Sequence, residues 1–282
     1  MKLTIITINR NNADGLEKTM QSVASQSADD FEYVVVDGAS TDNSVEVICR
    51  HTESFGTRLK WISELDQGIY NAMNKGIKMA TGDYVQFLNS GDRLAGPAVV
   101  EKMLRTLEEK GNPTILYGNM LKDMLDGRML KDKCFAGQDI SFLGFYTGTL
   151  NHSPAFILKD LFERYGLYDE SLRIVSDWKW YLQAIILGDE KPEYSDIDVT
   201  IFDMTGISES NLNLVKEERK KVLTELIPYT FLTDYDKWAF PIYQMKRLRR
   251  HPWAYKIVYF IERCLFKFEK AQNKRKGIQQ WQ

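Results

Sequence analysis

Residues 33–44 read YVVVDGASTDNS, four strand-favouring residues running straight into a polar turn. Tyr33–Val36 is short and apolar throughout, as a parallel strand buried on both faces requires. The same pattern repeats on either side of it. Upstream, Leu3–Ile8 reads as a strand, and Asp14–Ser25 carries Leu16, Met20 and Val23 at helical spacing. Downstream, Ser44–Cys49 opens a short helix, Leu59–Ser63 is a third strand, and Ile69–Ala80 is helical. Tyr84–Leu88 is a fourth strand, Pro97–Lys110 a helix with proline near its first turn, and Thr114–Tyr117 a fifth strand. This alternation predicts a mostly parallel sheet covered by helices on both faces. Such sheets hold ligands at the carboxyl ends of their strands.

Beyond residue 120 the pattern is less regular. Asp126-Gly127 marks a hairpin turn, Lys159–Tyr165 and Ser176–Leu187 read as helices, and Val199–Phe202 as a strand. From Leu212 the chain is helical and increasingly basic and aromatic. Residues 236–282 hold 12 Lys/Arg against 3 Asp/Glu, a balance of +9 in a chain whose net charge is −2. The remainder is therefore at −11, so the two regions are expected to face different surroundings. The three cysteines, Cys49, Cys134 and Cys264, lie far apart without metal spacing, which fits a reducing cytoplasm. Lys2–Ile6 has no signal-peptide layout. No apolar run reaches the roughly 18–20 residues that span a bilayer, so no crossing of the membrane is expected.

Three polar clusters close predicted strands one, two and four: Thr7-Ile8-Asn9-Arg10-Asn11, Asp37-Gly38-Ala39-Ser40-Thr41-Asp42 and Asn89-Ser90-Gly91-Asp92. Each alone has the composition of an ordinary turn. Three on one sheet edge point to a ligand site. The run VVVDGASTDNS (34–44) resembles the second-strand signature of the family 2 glycosyltransferases, and TIITINRNN (4–12) resembles their first-strand motif. Residues 64–92, ELDQGIYNAMNKGIKMATGDYVQFLNSGD, are similar to a bacterial subgroup that builds capsular and extracellular polysaccharides, colanic-acid-type enzymes included. The resemblance covers roughly residues 1–210.

The resemblance implies an α/β fold that is GT-A-like, with a Rossmann-like, mostly parallel sheet flanked by helices. It divides the chain into a glycosyltransferase domain over 1–210 and a helical, basic C-terminal region over 211–282. It implies an inverting transfer of a sugar from a nucleotide-sugar donor, UDP by family frequency, to a hydroxyl of a saccharide or lipid-linked saccharide. No nucleic acid is expected as a partner. Asp37 would accept from the nucleobase, and Asp66 resembles a second nucleoside-binding carboxylate. Thr7, Asn9, Arg10, Asn89 and His152 would complete the donor site, although a lone histidine such as His152 is equally well structural. Asp92 would hold Mg²⁺ or Mn²⁺. Asn89 stands where the family carries the first Asp of its Asp-X-Asp motif, so metal affinity without donor should be weak.

Asp177 resembles the catalytic base, and its alternative is a carboxylate that merely caps or charges a helix start. Asp169 and Glu170 read as an exposed turn and Asp83 as a turn residue. Gly206-Ile207-Ser208 resembles a loop that closes over the donor phosphates, or is a plain turn. A sugar nucleotidyltransferase would carry a Gly-rich basic loop where Asn9–Asn12 stand, and a dinucleotide dehydrogenase a Gly-x-Gly-x-x-Gly. A sugar nucleotidyltransferase and a sugar-nucleotide- or carbohydrate-binding protein that has lost activity are the two alternatives.

In the tail, Trp253, Ile257, Ile261, Cys264 and Phe268 share one side of a helix, with Lys256, Arg263, Lys267, Lys270 and Lys274 on an adjacent side. That is the layout of a helix in a membrane interface. It would place the protein peripherally on the inner face of the cell membrane, against anionic lipid; the alternative is an ordinary amphipathic helix packed on the domain with a solvated basic face.

Overall fold

Val34, Val35 and Val36 are each fully buried, which is the two-sided burial their unbroken apolar run demanded. They belong to β2 (Phe31–Asp37), which lies between β1 (Leu3–Asn9) and β3 (Leu59–Ser63), parallel to both. The computed structural model describes residues 2–124, 126–138, 140–204 and 211–275.

The other strands are β4 (Tyr84–Phe87), β5 (Arg93–Leu94), β6 (Ile115–Asp123), β7 (Met129–Asp132), β8 (Ala155–Leu158) and β9 (Glu193–Asp203). The nine strands form one sheet in the order β3-β2-β1-β4-β8-β6-β9-β5, with β7 on β6. Parallel ladders join β1 to β2 and β4, β2 to β3, and β6 to β9. β8 enters antiparallel between β4 and β6, an inversion that the sequence did not announce. Four apolar residues behind Pro154 are too short a signal to separate strand from loop.

Helices α1 (Ala13–Ala24), α2 (Ser44–Phe55), α3 (Ile69–Met79) and α4 (Val99–Glu109) alternate with the parallel strands. α1, α2 and α4 place Leu16, Met20, Val47, Ile48, Val100 and Met103 against Leu3, Ile5, Tyr33 and Val35 on one face of the sheet. On α3, a Cβ at Gly76 would run into the Ile6 side chain, so glycine lets the helix lie close on β1. Further on come α5 (Phe142–Thr147), α6 (Asp160–Arg164) and α7 (Ser176–Tyr181), which continues as a π-helical turn over Leu182–Leu187. Phe87, Phe162, Tyr168 and Trp180 pack ring against ring, Phe162 stacking on Trp180 at 4.5 Å between centroids. The Trp178 indole N–H donates to the Phe145 carbonyl at 2.9 Å. These contacts seat α7 at the end of the sheet.

The chain forms two units, 1–225 and 226–282. α8 (Leu212–Leu226) belongs to the first, so that unit extends past the boundary at 210 read from the sequence. The cause is burial: Glu218 and Val222 on α8 are both buried. In the second unit, α9 (Tyr229–Arg249) has Pro241 in its interior, and α10 (Pro252–Arg275) follows after a two-residue break. No described helix is long and apolar enough to cross a membrane.

Candidate active site

The three polar clusters meet at the carboxyl ends of β1, β2 and β4. Asn9 Nδ2 donates to Asp37 Oδ1 at 2.8 Å, tying β1 to β2. Asp37 Oδ1 also accepts from the Ser40 hydroxyl at 2.5 Å, and Oδ2 accepts from the Ser40 N–H at 3.0 Å and the Ser63 hydroxyl at 2.6 Å. Burial alone would raise the Asp37 carboxyl, but these donors outweigh it and hold the group below its ordinary value. The loops behind β1 and β2 are stitched by the Thr41 N–H to Asn11 Oδ1 at 2.8 Å and the Ala13 N–H to Asp42 Oδ2 at 2.9 Å. Asn12 caps α1 and donates to the Ser90 carbonyl at 3.2 Å, bringing in the β4 cluster.

Above this edge opens a cleft of about 610 Å³, within the range of small-molecule sites. Of the residues singled out in the sequence, Asn9, Arg10, Asp66, Asn89, Asp92, His152 and Asp177 line it. Thr7 does not. It is fully buried, donating to the Leu88 carbonyl at 2.7 Å and accepting from the Tyr33 hydroxyl at 3.0 Å, so it holds the strands and not a ligand. Asp37 is fully buried too and is absent from the lining, its four acceptor positions already occupied. A ring N–H reaches it only by replacing a serine donor.

Asp92 is 3% exposed. Its Oδ1 accepts from the Asp203 N–H at 3.0 Å, whereas Oδ2 is buried without a hydrogen-bond partner among the described residues. Burial, with Asp203 nearby, pushes its carboxyl up to about 7. Asn89 Oδ1 is likewise buried and unpartnered. Two orphaned oxygens on one wall of a polar cleft suit a hard cation, which takes oxygen ligands. Among the described residues, no three His, Cys, Asp or Glu side chains are grouped for a metal. An ion here would draw further ligands from phosphate and water. Asp203, at the end of β9, was not singled out in the sequence. The strand-end rule applied to Val199–Phe202 would have found it.

His152 links this wall to the next. Its Nε2 lies 3.4 Å from Asn89 Nδ2, and its Nδ1 lies 2.9 Å from Asp177 Oδ2. Burial lowers the imidazole, but the Asp177 bond and the nearby carboxylates outweigh it and raise the ring above its ordinary value. Asp177 Oδ1 accepts from the Tyr70 hydroxyl at 2.9 Å. Burial would raise Asp177, yet His152 and Tyr70 hold it below its ordinary value, so it is ionised at neutral pH. Asp177 is not the cap of α7, whose N-cap is Val175 with no side-chain cap bond, although it lies in the first turn, where a carboxylate suits the helix dipole.

A family model for glycosyl transferase family 2 matches residues 4–169. The chain belongs to that family. It is 33% identical over 208 residues to an uncharacterized glycosyltransferase of Mycobacterium tuberculosis, covering 73% of this chain and 76% of that one. A PGL/p-HBAD biosynthesis glycosyltransferase of the same organism is 28% identical over 181 residues, covering 64% and 68%. Among solved structures, S. aureus TarS 1–349 in complex with UDP-GlcNAc superposes with a TM-score of 0.60 at 20% identity, covering 72% of this chain and 58% of that one. The mannosyltransferase PcManGT of Pyrobaculum calidifontis, in complex with GDP-Man and Mn²⁺, gives 0.59 at 16% identity, covering 97% and 83%. The fold is thus the GT-A-like one that the strand signatures implied.

In this family 2 glycosyltransferase, Asp66 is held beside β2 by close packing. Its Oδ1 accepts from the Gly68 N–H at 3.1 Å and faces Arg10 at 3.4 Å. A Cβ at Gly38 would collide with Asp66 Oδ2. Gly38→Ala should therefore displace the Asp66 carboxylate, and on the nucleoside-binding role that the resemblance implies for Asp66 it should weaken nucleotide affinity by about ten-fold, the effect of one good charge-assisted bond. Calorimetric titration of nucleoside diphosphates, with far-UV circular dichroism unchanged, checks this.

Asp169 and Glu170 lie outside the cleft and are engaged. Glu170 accepts from Asn71 at 2.7 Å and Asn74 at 2.8 Å. Asp169 pairs with Lys179 at 2.8 Å, which also meets Glu225 on α8 at 3.1 Å. Burial opposes the charge, but Lys179 and Ser171 hold Asp169 down to about 2. A depressed carboxyl gives stability that is complete above about pH 4 and is lost as pH falls towards 2. Lys179→Met should cost about 1–2 kcal/mol at pH 7 and progressively less as pH falls from about 4 towards 2, read by urea unfolding across that range. Gly206-Ile207-Ser208 lies outside the described residues.

Proposed function

We propose that this glycosyltransferase takes its sugar from a nucleotide-sugar donor and passes it, with inversion, to a hydroxyl of a saccharide or lipid-linked saccharide. The observation that carries this reading is the union in one cleft of the orphaned Asn89 and Asp92 oxygens with an ionised Asp177, joined through His152. In such a transfer the acceptor oxygen bonds to the anomeric carbon as its bond to the diphosphate breaks, and the acceptor proton passes to a base. Asp177 accepts from His152 and Tyr70. A carboxylate has about four acceptor positions, which leaves room for that hydroxyl. Asp92 and Asn89 would hold Mg²⁺ or Mn²⁺, with further ligands from phosphate and water. A bound divalent ion would offset charge gathering on the leaving diphosphate.

UDP-GlcNAc on TarS and GDP-Man with Mn²⁺ on PcManGT support the donor class and the ion, and UDP is the nucleotide we favour. The sequence likeness to colanic-acid-type enzymes favours a surface-polysaccharide or glycolipid product. The deciding experiment is a thermal-shift panel of UDP-, GDP-, dTDP- and CMP-sugars, each with and without Mn²⁺. One donor should stabilise the protein by several degrees with the ion and release nucleoside diphosphate. Stabilisation by none of them, or pyrophosphate release from a nucleoside triphosphate and a sugar 1-phosphate, would sink the proposal.

The second unit supports a peripheral position on the cytoplasmic face of the membrane. On α10, Trp253, Ile257, Phe260, Ile261 and Phe268 are each more than half exposed, beside Lys256, Arg263, Lys267 and Lys270. Basic residues near anionic lipid contribute about 1 kcal/mol each. The full chain should float with phosphatidylglycerol-containing vesicles in a density gradient. The double substitution Ile257→Glu and Ile261→Glu should leave it at the bottom, and equal flotation of both proteins would remove the membrane role.

A further inference from the structure

The cations that line the cleft can be compared by their partners. Arg10 faces Asp66, and His152 faces Asp177. Arg173 also lines the cleft, and among the described residues no carboxylate pairs with its guanidinium. Its backbone is nevertheless gripped from behind. The Arg173 N–H donates to Glu218 Oε1 at 2.7 Å, and the Ile174 and Val175 N–H groups donate to Oε2 at 3.0 and 3.3 Å. Glu218 is 8% exposed, a buried carboxylate satisfied by three backbone donors. From the other side the Tyr70 hydroxyl, whose one proton is shared with Asp177 Oδ1, lies 2.5 Å from the Ile174 carbonyl. Residues 173–175 are thus clamped between α3 and α8, directly ahead of Asp177.

A cation on so fixed a base, left unneutralised by the protein, is suited to an anion from the ligand. The planar guanidinium fork matches the two oxygens of a carboxylate or a phosphate and gains little from a neutral sugar hydroxyl. The donor diphosphate belongs, on the reading above, to the wall of Asn89 and Asp92. Arg173 stands instead on the wall that carries Asp177, where the acceptor must sit. We propose that Arg173 is a specificity-determining residue that recognises a carboxylate or phosphate oxyanion on the acceptor, and that Glu218 is its positioning residue. This rests on the nucleotide-sugar reading of the cleft.

The test uses the full chain saturated with UDP and Mn²⁺, titrated with glucose, glucuronate, glucose 1-phosphate and inorganic phosphate by saturation-transfer NMR. At least one anionic sugar should bind about ten-fold more tightly than glucose, the two probes telling carboxylate from phosphate. A preference for inorganic phosphate over both anionic sugars would mean a site for the free ion and would overturn an acceptor role. Arg173→Gln should reduce the anionic preference to the level of glucose, and Arg173→Lys should restore part of it. Glu218→Gln should reduce it as well, with UDP affinity as in the parent protein, an outcome that general unfolding would not give. Anionic sugars binding no better than glucose, or a preference that survives Arg173→Gln, would refute the inference. A UDP affinity that falls ten-fold in Arg173→Gln would assign the residue to the donor and refute it too. If UDP does not bind the parent protein, the donor reading has failed. The comparison of charged with neutral sugars then decides the Arg173 site on the unloaded chain.

Discussion

Asp177→Asn should lower transfer by roughly 10²–10⁴-fold, the usual contribution of a positioned general base, with nucleotide affinity within about two-fold of the parent protein. The structure sharpens this expectation. Asparagine keeps an oxygen for the Tyr70 hydroxyl, which now lies 2.9 Å from Asp177 Oδ1. It presents an N–H₂ group, however, where Oδ2 faces His152 Nδ1 at 2.9 Å. His152 must then offer that nitrogen as an acceptor, and a protonated ring cannot do so. The substitution removes the base and reverses the polarity of the link towards Asn89 together. Stopped-time transfer assays beside calorimetric nucleotide titrations on one preparation decide the matter. Near-parental turnover would take Asp177 out of the mechanism, and neither Asp169 nor Glu170 could replace it from outside the cleft.

Asp92→Asn should have the second large effect, a loss of transfer of at least about 10³-fold together with loss of the Mn²⁺-dependent part of nucleotide binding. The fold should not suffer. Asp92 Oδ1 accepts from the Asp203 N–H, which an amide oxygen also does, and the substitution removes a charge that burial already disfavours. In thermal unfolding at pH 8 without metal, the variant should melt no lower than the parent protein. Adding Mn²⁺ with nucleoside diphosphate should then raise the parent alone. A parent enzyme fully active after exhaustive EDTA treatment would remove the ion from the reaction.

The parallel half of the fold was legible because each of its strands is a local apolar run, as Tyr33–Val36 shows, and each ends in turn chemistry with few alternatives. The antiparallel insertion of β8 was not, since strand order is set by long-range pairing that no local period records. Asn9 and Asp92 were legible from their strand-end clusters, Asp66 and Asp177 only through the resemblance, and all four line one cleft. Thr7 misled because a hydroxyl at a strand end looks the same whether it faces ligand or core; Tyr33 and Leu88, distant in sequence, decide which. Tyr70, Arg173 and Glu218 escaped for a related reason. Their meaning lies in contacts across 43–107 residues of chain, and each alone reads as an ordinary helix or loop residue.

α8 reaches back across the sequence to hold the backbone at 173–175 and, through Glu225, the Lys179 side chain on α7. This bears on how the protein can be dissected. The family match ends at residue 169 and the strand pattern near 203, so either point invites a cut. The cut near 203 would discard Glu218 and leave three backbone donors facing nothing, and the shorter one would remove those donors and Asp177 as well. The smallest portable catalytic piece therefore extends through Leu226. Exchange of C-terminal helices between relatives has its natural seam at Ile227-Pro228, ahead of Tyr229, where a graft leaves every bond to the 173–177 segment in place.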